Sequence, residues 1–252
     1  MHAVGTSRQA GAPAVRTAVV WDVLRAALAD RVAVTGRDRL DIVDAGGGTG
    51  GFAVPLAALG HAVTVVDPSP DSLAALERRA AEAGVTVRAL QGDAADLADL
   101  LPAGGTDLVL CHSVLEYVED PGGALAAMAR LLRTDGMISV LAANPLAAAL
   151  HRSAAGRFDE ARRVLGDPDG RWGDRDPTPR RFTRESLLHL LGAAGLRPDG
   201  IHGVRVFADL VPSRFLDGEP GAAAALIALE QVAAEHPVLR DIASQLHVLG
   251  RR

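Results

Sequence analysis

A single cysteine, Cys111, stands in a chain of 252 residues, so an intrachain disulfide framework and any cysteine-based zinc cluster are excluded. That usage fits a reducing cytosol, and a cytoplasmic, metal-free protein is the expectation. Lysine is absent: all 26 basic side chains are Arg, a bias that matches a GC-rich genome and carries little functional weight. Aromatics amount to 3% of residues against 48% hydrophobic, so the core must be aliphatic. No long hydrophobic run is present either. The longest, Met137 to Leu150, is broken by Asn144-Pro145 and is too short to span a bilayer. The opening Met1-His2-Ala3-Val4-Gly5-Thr6 lacks the apolar region of a signal peptide, so no membrane partner is expected. The net charge of −5 speaks against a broad nucleic-acid surface, because phosphate binding draws on clustered cations. Between positions 152 and 184, however, nine Arg face six acids, which reads either as a locally basic patch or as a solvated loop of mixed charge.

What is present is a regular alternation of short apolar runs and helical periodicity. Residues before about Gly11 look unstructured. Helical spacing then covers 13–29, with Val15, Val19, Leu24 and Leu28 on one face. Strands are expected at 41–43, 63–66, 85–90, 107–111 and 137–142. The helices between them start at Ser69-Pro70 and Asp120-Pro121, where a capping side chain precedes a proline at the first turn. Such alternation indicates a parallel sheet flanked by helices. Residues 146–181, rich in Arg, Asp, Gly and Pro, read as an insertion with weak helical signals. A helix at 183–194, a strand at 203–207, an Ala-rich helix at 221–234 and a strand at 245–249 complete the chain.

The most informative motif is Asp44-Ala45-Gly46-Gly47-Gly48-Thr49-Gly50, placed where the first strand turns into a helix. Alternating glycines there let the backbone approach a bound nucleoside derivative closely. A second acid, Asp67, ends the next strand, at the distance where one βαβ unit delivers a carboxylate to ribose hydroxyls. The pattern D-x-G-x-G-x-G favours S-adenosylmethionine, with a dinucleotide such as NAD as the alternative. Asp44 is placed to hold the donor's ammonium and Asp67, followed by Pro68, the ribose diol. Asp93, Ala94 and Ala95 follow strand three and are candidates for the adenine edge. Cys111 and His112 point to opposite faces of their strand and cannot form a dyad; Cys111 reads as core, and His112, at the strand's carboxyl end, as either a structural histidine or a cofactor or substrate contact.

The order of these motifs, together with His112-Ser113-Val114-Leu115-Glu116-Tyr117-Val118-Glu119-Asp120-Pro121, resembles the class I S-adenosylmethionine-dependent methyltransferases. The likeness is greatest to the bacterial branch that methyl-esterifies 5-carboxymethoxyuridine at the tRNA wobble position. It extends from about Arg16 to the C-terminus and includes Trp21, Asn144, Gly203-Val204-Arg205-Val206-Phe207-Ala208-Asp209 and His247-Val248. The resemblance implies an α/β, Rossmann-like fold, with a mostly parallel seven-stranded sheet, helices on both faces and an antiparallel C-terminal strand. It divides the chain into a tail and cofactor-capping helix (1–35), a cofactor-binding core (36–145), a lid on the substrate side (146–182) and a part completing the sheet (183–252).

The implied cofactor is S-adenosyl-L-methionine, leaving as S-adenosyl-L-homocysteine. Arg16, Asp44, Gly46, Gly47, Gly48, Asp67, Pro68, Asp93, Ala94 and His112 are expected to bind it, with Arg16 reaching the donor's carboxylate. Arg205 is the candidate for an acceptor carboxylate, with Tyr117 and Asn144 lining the acceptor pocket; His247 reads as structural. The segment 177–183 departs from the branch, and its basic loop is an Arg/Asp mixture. The acceptor is therefore a tRNA or a small molecule, and a cofactor-binding protein without catalysis stays open beside both.

Overall fold

The computed structural model describes residues 12–94, 96–218 and 220–252. The expectations for the first eleven residues and for Ala95 lie outside them. In chain order the elements are α1 (Ala12–Thr35), β1 (Asp41–Ala45), α2 (Ala53–Ala58), β2 (Ala62–Asp67), α3 (Pro70–Glu82), β3 (Arg88–Gln91), α4 (Leu97–Leu100), β4 (Thr106–His112), α5 (Pro121–Leu131) and β5 (Leu132–Ala143). Then come α6 (Pro145–Ala154), α7 (Phe158–Gly166), α8 (Arg184–Ala193), β6 (Arg197–Val204), α9 (Ser213–Gly218), α10 (Ala222–Glu235) and β7 (Gln245–Arg251).

The seven strands form one sheet in the order β3-β2-β1-β4-β5-β7-β6, with β7 antiparallel to both of its neighbours and the other pairings parallel. The reversal of strand order between β1 and β4 creates the crevice in which an open α/β sheet binds ligands, beyond the carboxyl ends of its strands. Successive strand residues feed opposite faces. Ile42, Leu108 and Leu110 pack with Val20 and Leu24 of α1 and Leu76 of α3. Val43, Val109 and Cys111 pack with Leu125 and Met128 of α5 and Leu187 of α8. Helices therefore cover both faces, and the four apolar residues expected on one face of α1 are all buried.

Capping explains the helix starts. Ser69, Asp120, Asn144 and Thr183 each accept a hydrogen bond from a backbone N–H two or three residues ahead, at 3.2, 3.0, 3.1 and 3.2 Å. The first three are followed by proline, which has no N–H to leave unsatisfied.

Three expectations are corrected. The strand expected at 203–207 ends at Val204: Arg205 adopts φ +60°, outside the strand region, and the following amides turn away from the sheet. The real β6 begins at Arg197, in a polar stretch that apolar alternation does not reveal because the strand is a sheet edge. Likewise β3, at the opposite edge, is Arg88–Gln91 rather than 85–90. The segment expected to carry only weak helical signals contains α6 and α7, and its remainder is tied by Arg181, which donates to Asp176 at 2.7 and 3.0 Å. At the amino-terminal end of β4, away from the crevice, buried Asp107 gathers Arg31, Arg37 and Arg133.

Candidate active site

The glycine turn leaves β1 at the crevice. Gly46 sits at φ +70° with its N–H donating to Val66 O at 2.7 Å, and a Cβ there would run into Val114. Gly47 has a different reason to be glycine: a Cβ would lie 2.6 Å from the Asp44 carboxylate folded beneath it. Asp67, at the end of β2, accepts from Gly48 N at 2.8 Å and Ser69 N at 2.9 Å, so it holds the glycine turn and the start of α3 in register. Each of its oxygens keeps a lone pair for a further donor.

Around this turn lies a cavity of about 210 Å³, lined by Gly46, Asp67, Pro68, Asp93, Ala94 and Tyr117, among others. Residues named from four separate sequence segments thus meet in one place. Asp93 gives its own N–H to Asp96 Oδ2 at 2.9 Å and keeps its side chain exposed. Tyr117 is 62% exposed, so it stands at the mouth of the cavity rather than in a closed pocket. Asp44 is buried, and burial, reinforced by the charge of Asp67, pushes its carboxyl up to about 7. A buried carboxyl poised to lose its proton at neutrality suits an incoming cation. These residues fit the amino-acid and ribose ends of an adenosyl donor.

His112 lies at the end of β4 with its ring edge on Phe52 (4.6 Å between centroids), which in turn stacks on Trp21 at 5.0 Å. Its Nε2 is 2.7 Å from Ser139 Oγ, which is 2.8 Å from His247 Nε2; His247 Nδ1 is 3.3 Å from His202 Nδ1. Burial pushes His112 down to about 3 and His247 well below its ordinary value, so both imidazoles are neutral. Cys111 is fully buried in the core, and burial pushes its thiol far up, which removes it as a nucleophile. Glu116, also buried, accepts from Ala143 N at 2.7 Å and ties the turn after β4 to the end of β5.

Arg16 and Arg205 do not line the cavity; they meet each other through Asp209, at 3.4 and 3.5 Å. Asn144 needs correction. Its Oδ1 caps α6 and its Nδ2 donates to Asp241 O and Ala243 O, both at 2.9 Å, so no amide hydrogen is left for an acceptor. At 2% exposure it is a tie between β5 and the 241–243 turn.

Sequence reasoning missed Glu230, which projects from α10 and accepts from Val206, Phe207 and Ala208 N–H at 2.9, 2.7 and 2.6 Å. Its signal was an acid at helical spacing from the buried Leu226, Ala233 and Ala234. Among the described residues, buried side-chain atoms without a hydrogen-bond partner are His112 Nδ1, Glu116 Oε2, Arg205 Nε, Asp209 Oδ1 and Ser244 Oγ. All five belong to residues at or just beyond the crevice edge of β4, β6 and β7. Orphaned polar atoms in a native chain call for a reason, and a ligand site supplies one.

Fold and site together define a nucleoside-cofactor transferase. A methyltransferase domain model matches residues 43–140. The chain is 33% identical over 198 residues to the tRNA 5-carboxymethoxyuridine methyltransferase of Escherichia coli O157:H7, covering 77% of this chain and 72% of that protein. It is 31% identical over 191 residues to the ubiquinone biosynthesis O-methyltransferase of Azorhizobium caulinodans, covering 72% of each. The crystal structure of an S-adenosylmethionine-dependent methyltransferase from Mesorhizobium loti shares the fold, with a TM-score of 0.59 at 21% identity over 94% of this chain and 100% of that one. The chain belongs to the S-adenosylmethionine-dependent methyltransferases, and the dinucleotide alternative falls away. No helix among the described residues is long and apolar enough to cross a membrane.

Proposed function

We propose that this enzyme methylates a carboxylate oxygen, with Arg205 holding the acceptor. The observation that carries this reading is the buried Nε of Arg205, which has no hydrogen-bond partner in a side chain only 24% exposed. A carboxylate is the natural occupant of such a fork. The donor, S-adenosyl-L-methionine, supplies an electrophilic sulfonium methyl when bound. Asp44 and Arg16 are assigned its ammonium and carboxylate, Asp67 its ribose hydroxyls, and Asp93 with Ala94 its adenine edge. His112 closes the cleft as a neutral imidazole.

The basicity of the site points the same way. A hydroxyl acceptor needs a general base near neutrality; His112 is pushed down to about 3 and His247 well below its ordinary value, and Asp44, raised to about 7, is taken by the donor's ammonium in this reading. A carboxylate is already ionised at neutral pH and requires no proton to be taken. The residues then have only to align donor and acceptor and exclude water.

The first acceptor to test is 5-carboxymethoxyuridine in tRNA, from the name of the Escherichia coli relative. A small carboxylate metabolite is the second reading, favoured by a specific observation. Of the nine Arg between 152 and 184, seven are paired with an acid: Arg152 and Arg157 with Glu160, and Arg162, Arg171, Arg180, Arg181 and Arg184 each with an aspartate. That leaves little free charge for a phosphate backbone. Labelled methyl transfer into extract from a strain lacking the gene tests both. RNase-sensitive label identifies tRNA, label in a chloroform-soluble product identifies a metabolite, and tight S-adenosylhomocysteine binding without any turnover refutes catalysis.

A further inference from the structure

Arg16 on α1 and Arg205 at the exit of β6 approach a single carboxylate from two sides. Arg16 Nη2 lies 3.4 Å from Asp209 Oδ1, and Arg205 Nη1 lies 3.5 Å from Asp209 Oδ2. The Arg16 contact is not a hydrogen bond, since Asp209 Oδ1 is buried without a partner, and Arg205 Nε, beside the Nη1 that faces Asp209, is buried and unpartnered as well. The same chain shows what a completed pair looks like: Arg181 grips Asp176 with two N–H groups, at 2.7 and 3.0 Å. The arginine pair around Asp209 is thus neutralised in charge yet unfinished in geometry.

A loose backbone does not explain this. Glu230 fixes the N–H groups of residues 206, 207 and 208, and Arg205 O accepts from Ser244 N at 3.3 Å. Arg205 itself is held at φ +60°, a conformation that a non-glycine residue adopts only when its surroundings impose it. The segment is clamped on both sides of Arg205, and what is left unsettled is the side chain of Asp209. Two guanidiniums that converge on one point favour an anion between them, and the side chain of Asp209 there is only 17% exposed. Asp209 supplies that anion by turning one oxygen toward each guanidinium, and so presents a fork to neither.

We propose that Asp209 is a resident counter-ion, occupying Arg16 and Arg205 in the ligand-free chain and releasing Arg16 to the carboxylate of the donor's amino-acid end. It is an internal competitor that sets donor affinity and keeps the two arginines from binding stray anions. The inference rests on the methyl-donor reading above, in which Arg16 receives that carboxylate. Its signature is unusual in sign: removing an acid near the site improves binding.

The test is calorimetric titration of the folded full-length chain with S-adenosylhomocysteine and, separately, with 5′-methylthioadenosine, which has the nucleoside and sulfur but neither carboxylate nor ammonium. Asp209→Asn tightens S-adenosylhomocysteine roughly fivefold, the scale of one partly exposed charge at this distance, and leaves 5′-methylthioadenosine within about twofold. Asp209→Ala does the same, which separates loss of charge from any new contact of the amide. In an Arg16→Ala background neither change affects S-adenosylhomocysteine. Unchanged or weaker S-adenosylhomocysteine binding in both folded variants overturns the proposal, weaker binding assigning Asp209 to the ammonium instead. Failure of the wild-type chain to bind S-adenosylhomocysteine at all is a different result, and it removes the methyl-donor reading itself.

Discussion

Replacing Asp44 by Asn separates stability from donor binding, and the two move in opposite directions. The side chain is 3% exposed, and burial together with Asp67 raises its carboxyl from 3.8 to about 7. A carboxyl raised in the folded state stays protonated there while it ionises in the unfolded chain, so stability falls as pH rises from about 4 to about 7. Roughly three pH units at 1.36 kcal/mol each give about 4 kcal/mol lost across that window, fully felt above pH 7. Asparagine keeps the shape and carries no charge. Asp44→Asn therefore removes this slope and raises the melting temperature at pH 8 in the ligand-free chain, at roughly 2–4 °C for each kcal/mol recovered.

Donor binding responds the other way. A cationic ammonium pairs with the ionised carboxyl, so wild-type affinity for S-adenosylhomocysteine climbs up to about tenfold per pH unit below 7 and levels off above it. Asp44→Asn loses that dependence, and at pH 8 its affinity drops by about 10- to 100-fold, the scale of one buried charge-assisted hydrogen bond. Differential scanning fluorimetry and calorimetry at pH 5 to 8 give both readouts. An Asn variant that binds as tightly as wild type at pH 8, or that keeps the wild-type pH slope of stability, would refute the assignment.

Glu230→Gln leaves at least one of the three N–H groups, two of them in buried hydrogen bonds, facing an amide NH2, and a loss of about 1–3 kcal/mol is expected, read as a lower urea midpoint. An unchanged midpoint would show that the turn at 206–208 holds without this carboxylate. Asp107→Asn at the amino-terminal end of β4 removes the shared partner of Arg31, Arg37 and Arg133 and should cost about 3–5 kcal/mol, while S-adenosylhomocysteine affinity of the folded protein stays at the wild-type value. Burial pushes the Asp107 carboxyl up, but the Asp41 N–H and the arginines outweigh it and hold it below its ordinary value. The stability it contributes is present above pH 3.8 and is lost as pH falls through its lowered folded value, so the wild-type and Asn curves should converge in strong acid.

The glycine turn and the acids on either side of it were legible because their chemistry is local. Asp44, Gly46, Gly47 and Asp67 lie in short segments where a strand must stop and the chain must turn, and a turn that tight can be built only with particular residues in a particular order. The same holds for the proline-marked starts of α3, α5 and α6, whose capping side chains sit one residue away from the turns they satisfy.

Contacts made across the sheet were decided only in three dimensions. Val204-Arg205-Val206-Phe207 alternates like a strand, yet Glu230, 24 positions beyond Val206, takes the amides that a neighbouring strand would need. Asn144 resembles a polar pocket residue until the carbonyls of Asp241 and Ala243 claim its amide. Arg16 and Arg205 come from opposite ends of the chain, and nothing in either segment announces that Asp209 joins them. Local sequence determines where a backbone can turn, while the partner of a buried polar group depends on which distant segment packing brings beside it.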